Sequence, residues 1–103
     1  MSRLPVALPA LIAFEQAAAR EDSWGRFSAL SAHGATVLSL SRMSPRDRLY
    51  LSFELAGERV SQATAIVERA FLDADGYWAA ELRWLDEGDR RRLARSLSDL
   101  LSR

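Results

Sequence analysis

The sequence predicts a mainly β fold, a six-stranded antiparallel barrel with one C-terminal α-helix. Three observations predict it. Six segments alternate apolar and polar residues with the period of two that extended strands show. Turn-forming residues separate these segments, and after Asp86 the apolar period becomes that of a helix. Because exposed strand edges invite unwanted pairing, we expect the strands to close into a barrel or a strongly curved sheet.

The chain has 103 residues, and we predict a single domain over 1–103, with strands over about 8–85 and the helix over about 87–102. It has no cysteine, which excludes disulfides, thiolate nucleophiles and cysteine-zinc sites. Fourteen basic residues balance fourteen acidic ones, so no broad positive field exists to hold nucleic acid or an anionic membrane.

The apolar stretch 4–14 is interrupted by Pro5 and Pro9 and has no basic leader. It therefore predicts neither a signal peptide nor a membrane span, and we expect a cytoplasmic protein. The same stretch predicts the first strand, since apolar residues recur at every second position. These are Leu8, Ala10, Ile12 and Phe14.

The remaining strands are predicted by the same alternation. The second and third lie over 24–31 and 35–40, and the fourth places one set of side chains on a single face: Leu49, Leu51, Phe53 and Leu55. A long strand over 60–73 and a returning strand over 77–85 flank a tight turn at 74–76. The returning strand has one apolar face, formed by Trp78, Ala80, Leu82 and Trp84.

Asp86 is the predicted N-cap of the helix, with Asp89 in the first turn, where the helix dipole favours negative charge. One apolar stripe follows at helical spacing and should pack on the sheet. It consists of Leu93, Leu97, Leu100 and Leu101.

The turn between the second and third strands holds the candidate site. Ser31 is expected to hydrogen-bond its own backbone, and Gly34 to supply a positive φ. A polar residue two positions before Ser31 would share a ligand with it, but that residue is Ala29.

The chain resembles the PilZ domain over nearly its whole length. The resemblance rests on Leu-Pro-Val after a basic residue, on the segment 30–35 (Leu-Ser-Ala-His-Gly-Ala), and on a terminal helix with Asp-Arg-Arg-Arg-Leu-Ala-Arg-Ser-Leu. PilZ domains are bacterial receptors for cyclic di-GMP. In them an Arg-x-x-x-Arg segment meets the phosphates and stacks on guanine, and an Asp/Asn-x-Ser-x-x-Gly turn reads the guanine edge. Arginine suits this compact dianion because it offers both paired donors and a stacking face.

The resemblance matches the turn motif at Ser31 and Gly34 and departs from it at Ala29. The Leu-Pro-Val that follows Arg3 matches this residue to the second arginine, so the first would precede Met1. Losing two charge-assisted contacts weakens binding by roughly one hundred to ten thousand fold.

Other features are interpreted structurally. His33 is expected to be an exposed turn residue, since no nucleophile elbow or orienting third residue accompanies it. The segment 73–76 is interpreted as a hairpin turn and the arginines 90–92 as a solvated helix face. Trp78 and Trp84 are assigned to the core, and Trp24 is a candidate partner-binding anchor.

The resemblance implies an atypical regulatory or adaptor module in bacterial cyclic di-GMP or motility signalling. It would act through a protein partner or by self-association, with weak or no cyclic di-GMP binding and no cofactor or metal. The alternative is a working cyclic di-GMP receptor that uses Arg3, Ser31 and Gly34 with help from Arg26 or from an arginine upstream of Met1. Another small β-barrel, or a small enzyme, would be further alternatives, but no acid, base and nucleophile set can be assembled for the enzyme.

Overall fold

The computed structural model describes the backbone of residues 2–15 and 20–101, with the side chains of 8–15 and 20–100. This part of the chain forms six strands followed by one helix. The strands are β1 (Ser2–Phe14), β2 (Ser23–Leu30), β3 (Gly34–Ser39), β4 (Arg48–Leu55), β5 (Glu58–Leu72) and β6 (Trp78–Trp84), and the helix is α1 (Glu87–Leu101).

The six strands close into an antiparallel barrel in the order β1-β2-β3-β6-β5-β4, which confirms the predicted architecture. β1 begins at Ser2, well before the expected start at about residue 8. It carries a register shift: Arg3 pairs with Ala29, whereas Leu8 already pairs with Phe27. The first residues of β1 therefore lie alongside the end of β2, next to the candidate turn.

The barrel interior is filled by the residues that alternation assigned to it. In β4, Leu49 and Leu51 are fully buried, and in β1 the side chains of Ala10 and Ile12 are as well. Three aromatic rings occupy the centre, where edge-to-face packing adds to the area they bury. The ring of Phe27 lies 4.9 Å from that of Phe53 and 6.2 Å from that of Trp84, centroid to centroid.

Helix α1 begins as predicted at an aspartate cap. Asp86 Oδ2 accepts a hydrogen bond of 2.9 Å from the backbone N–H of Asp89, which satisfies one of the free donors of the first turn. Leu93 is fully buried, and Leu97 and Leu100 pack against the core. The side chain of Leu101, the last member of the stripe, lies outside the described residues. Within the described ranges, no helix is long and apolar enough to cross a membrane.

Candidate functional site

Ser31 organises the turn between β2 and β3. Its backbone N–H donates to Gly34 O at 2.8 Å, and its hydroxyl Oγ accepts from the backbone N–H groups of His33 (3.2 Å) and Gly34 (3.1 Å). The hydroxyl also donates to Gly34 O at 3.2 Å. The predicted self-bonding turn is confirmed, and the Ser31 hydroxyl makes its hydrogen bonds inside it.

Gly34 is required for a different reason from the one the sequence predicted. Among the described residues the glycines with positive φ are Gly57 and Gly76, so the prediction for Gly34 is wrong. Gly34 is the first residue of β3 and pairs with Arg83. A Cβ at this position would lie 2.1 Å from the backbone oxygen of Leu82, closer than any real contact. Gly34 thus permits a close approach of two strands.

Trp84 holds the turn through two hydrogen bonds. The sequence assigned this residue to the core and did not predict these bonds. Its indole Nε1–H donates to Ser31 O at 3.1 Å, and its backbone N–H donates to His33 O at 3.0 Å. Because Trp84 is fully buried, the turn is tied directly to the centre of the barrel. The signal in the sequence was a buried indole, whose N–H normally finds a partner.

Ala29 faces Arg3 across the β1–β2 pair, so the backbone brings two of the motif positions together. The Arg3 side chain lies outside the described residues. On its other side Ala29 pairs with Thr36, which in turn pairs with Glu81. Ala29 is half-buried and offers only a methyl group where a ligand-reading carboxylate or amide would stand in the motif.

Two further arginines lie in different places. Arg26 is exposed on β2, and its guanidinium carbon lies 5.1 Å from the centre of the Tyr77 ring. No carboxylate of the described residues forms an ion pair with it. Arg20 is instead held near the end of β1, 3.7 Å from the Phe14 ring centre and 3.7 Å from Asp47 Oδ2. Along the chain, Arg26 lies closer to Ala29 than Arg20 does.

The Trp24 side chain is exposed over 69% of its surface, and its role as a partner-binding anchor stays a prediction. Beside it, Leu40 is 72% exposed. Trp24 stands between two depressions. One, of about 580 Å³, is lined partly by Leu8, Pro9 and Leu11, and the other, of about 250 Å³, by Leu38, Leu40 and Tyr77 among others.

The remaining candidates have structural roles. His33 is exposed, and Asp73 Oδ1 accepts the backbone N–H groups of Asp75 and Tyr77, both at 2.9 Å, which closes the hairpin. Arg91 pairs with Glu87 one turn away on the solvated face of α1. Arg90 departs from the solvated face predicted for it, because it is half-buried and its guanidinium donates to Trp84 O at 2.8 Å. Over residues 2–15 and 20–101, no group of three or more histidine, aspartate or glutamate residues could hold a metal ion.

A closed barrel of six antiparallel strands with a C-terminal helix defines the structural class of this chain. It is similar over 100% of its length to the crystal structure of the PilZ domain of CeSA from a cellulose-synthesising bacterium, also covered over 100% of its length. The TM-score is 0.66 and the sequence identity 20%. The chain therefore has the PilZ fold, as its sequence predicted. No protein-family model and no curated protein matches it.

Proposed function

We propose that this chain is an atypical PilZ-like regulatory adaptor in bacterial cyclic di-GMP or motility signalling. It acts in the cytoplasm by binding a protein partner, binds cyclic di-GMP weakly or not at all, and catalyses no reaction. The observation that carries the proposal is the position of Ala29, paired with Arg3 and adjoining the Ser31 turn. Ser31 and Gly34 match the turn motif of the resemblance, and Ala29, at its first position, has no polar side chain.

The hydrogen-bonding of the turn supports weak ligand binding. The Ser31 hydroxyl is engaged with Gly34 and His33, and Ala29 has no polar atom beyond its backbone. One charge-assisted hydrogen bond is worth about 1.5 to 3 kcal/mol, so the missing carboxylate alone weakens binding by roughly ten- to more than a hundredfold.

The surface around Trp24 supports a protein partner. An indole that stays 69% exposed in the folded chain removes little of its apolar surface from water on folding, so it contributes little to the stability of the barrel. Tryptophan is also the residue type most enriched among the side chains that dominate protein interfaces.

A second candidate function is a working cyclic di-GMP receptor that uses Arg3, Ser31 and Gly34 with Arg26. The exposed guanidinium of Arg26 favours it, because no described carboxylate neutralises this group and it lies on the strand that carries Ala29. Its guanidinium lies over the Tyr77 ring, and a guanidinium has the planar face on which a guanine base can stack.

Calorimetric titration of cyclic di-GMP into the native chain and into Ala29→Asp tests the proposal. The native chain should give no saturable heat at micromolar ligand, and Ala29→Asp should gain affinity by about tenfold or more. Ala32→Asp is the matched control, since it adds the same charge to the turn at a position the motif leaves open.

Submicromolar binding by the native chain would contradict the proposal and favour the receptor. Arg26→Ala then tests the receptor's composition: its affinity should fall by about tenfold if Arg26 completes the site. An unchanged affinity would exclude Arg26 from it.

A further inference from the structure

We infer that the barrel binds one amphipathic helix of a partner protein on an apolar outer surface, with an acidic residue of that helix against Arg26. This inference rests on the proposed adaptor function and names the chemistry of the partner. The surface is called the Trp24 patch, and its residues are Leu11, Trp24, Leu38, Leu40, Phe71 and Tyr77.

Strand register brings these side chains together on the outside of the barrel. Leu38 pairs with Arg26 on one side and with Ala79 on the other, and Ala79 pairs with Phe71 of β5. Two residues before Arg26 on β2, Trp24 pairs with Leu11 of β1. Inward positions of the same strands, such as Phe27 and Val37, are fully buried. The patch therefore crosses β1, β2, β3, β6 and β5 as one outward face.

The size of the patch favours a small occupant. Its most exposed members are Trp24, Leu40 and Phe71, at 69%, 72% and 46%. Together they offer on the order of 400 Å² of apolar surface, given the size of such side chains. An amphipathic helix presents a single apolar stripe, which suits an apolar surface of this extent.

The backbone excludes strand addition beneath the centre of the patch. β2 is paired with β1 and β3, and β3 is paired with β2 and β6, so their backbone groups are already engaged. A partner must therefore contact side chains. Apolar side chains from one face of a helix can insert into the two depressions beside Trp24.

Charge determines what else the helix must carry. Arg26 adjoins the patch, since it pairs with Leu38 and its guanidinium lies over the Tyr77 ring. No carboxylate of the described residues pairs with it. Covering it with a purely apolar surface would bury an uncompensated charge, which is strongly unfavourable. An aspartate or glutamate beside the apolar stripe of the partner removes that cost and sets the direction of the helix.

The test uses a display library of amphipathic helical peptides with a fixed leucine stripe and one randomised flanking position, selected against the full chain. Selection should enrich aspartate or glutamate at that position, and selection against Arg26→Glu should enrich lysine or arginine. A selected peptide should bind Trp24→Ala about tenfold or more weakly than the native chain. Binding to Leu72→Ala, an exposed apolar side chain outside the patch, should be unchanged.

Three outcomes would overturn the inference: no peptide is selected, the charge preference does not reverse with Arg26→Glu, or Trp24→Ala binds as well as the native chain. A dimer in sedimentation that Trp24→Ala dissociates would assign the patch to a second copy instead. Cyclic di-GMP calorimetry is independent of these readouts. Tight nucleotide binding with intact peptide binding would remove the proposed function and leave the patch standing.

Discussion

The two ends of β2 have opposite chemistry. At the Leu30 end, the Ser31 hydroxyl, the turn amides and the Trp84 indole satisfy one another. At the Ser23 end, Trp24 projects from the barrel with 69% of its surface exposed. At the Leu30 end these polar groups hydrogen-bond within the fold, and at the Ser23 end a large apolar side chain stays exposed.

The comparison shows that residues can match a ligand-binding motif and still have structural roles in the fold. Ser31 and Gly34 match the family motif, yet in this structure one makes hydrogen bonds within the turn and the other lets β3 approach β6. Both residues therefore have a role in the fold. Ala29, at the motif's first position, has no polar side chain. Replacing Ser31 or Gly34 should therefore affect stability, and replacing Trp24 should affect the binding of a protein partner.

Gly34→Ala should have the largest effect on stability. The new Cβ would lie 2.1 Å from the Leu82 backbone oxygen, and moving a paired strand should cost about 3 kcal/mol in the free energy of unfolding. Gly57→Ala is the control. Its Cβ meets nothing within 4 Å, so only its positive φ costs free energy, about 1 kcal/mol. Urea denaturation measures both, and an equal loss in the two variants would refute the close-approach explanation.

Ser31→Ala should lower the free energy of unfolding by about 1 to 2 kcal/mol, because the amides of His33 and Gly34 lose their acceptor. The matched control is Ser28→Ala, a half-buried serine on β2, the strand that leads into the turn, with an expected change near zero. Chemical denaturation of both variants checks this. If Ser31→Ala were as stable as the native chain, the turn would not depend on its hydroxyl.

Trp24→Ala should change the free energy of unfolding by no more than about 0.5 kcal/mol, since the side chain is mostly exposed. Thermal denaturation followed by circular dichroism measures it. Tryptophan fluorescence of the native chain should shift to shorter wavelength when a selected helical peptide covers Trp24, and Trp24→Phe should abolish that shift. A strongly destabilised Trp24→Ala would mean that the residue serves the fold.

Local patterns predicted most of the fold. Alternation identified the buried faces of β4 and β6, and Asp86 with the leucine stripe identified the start and packed face of α1. These features depend on neighbours close in sequence. The predicted start of β1 was wrong because the first residues of this strand are fixed by a partner far along the chain. Arg3 pairs with Ala29, on the far side of a register shift in β1.

The site was predicted in part, for the same reason. The Ser31 turn follows from residues within four positions of one another. The role of Gly34 depends on its contact with Leu82, and the turn is held by a hydrogen bond from Trp84. Both of these residues lie on β6, far from the turn in sequence. Exposure of Trp24 was expected from the charged segment before it, but the register that sets Leu38, Ala79 and Phe71 in one row was not readable from sequence.

The most direct test of the central claim is a titration of the ¹⁵N-labelled native chain with cyclic di-GMP, followed by amide chemical shifts. We predict no saturable shift at the amides of Arg3, Ala29, Ser31 and Gly34 up to about 100 µM ligand, a concentration that would reveal any micromolar site. Saturable shifts at these amides with submicromolar affinity would contradict the account and identify the chain as a cyclic di-GMP receptor.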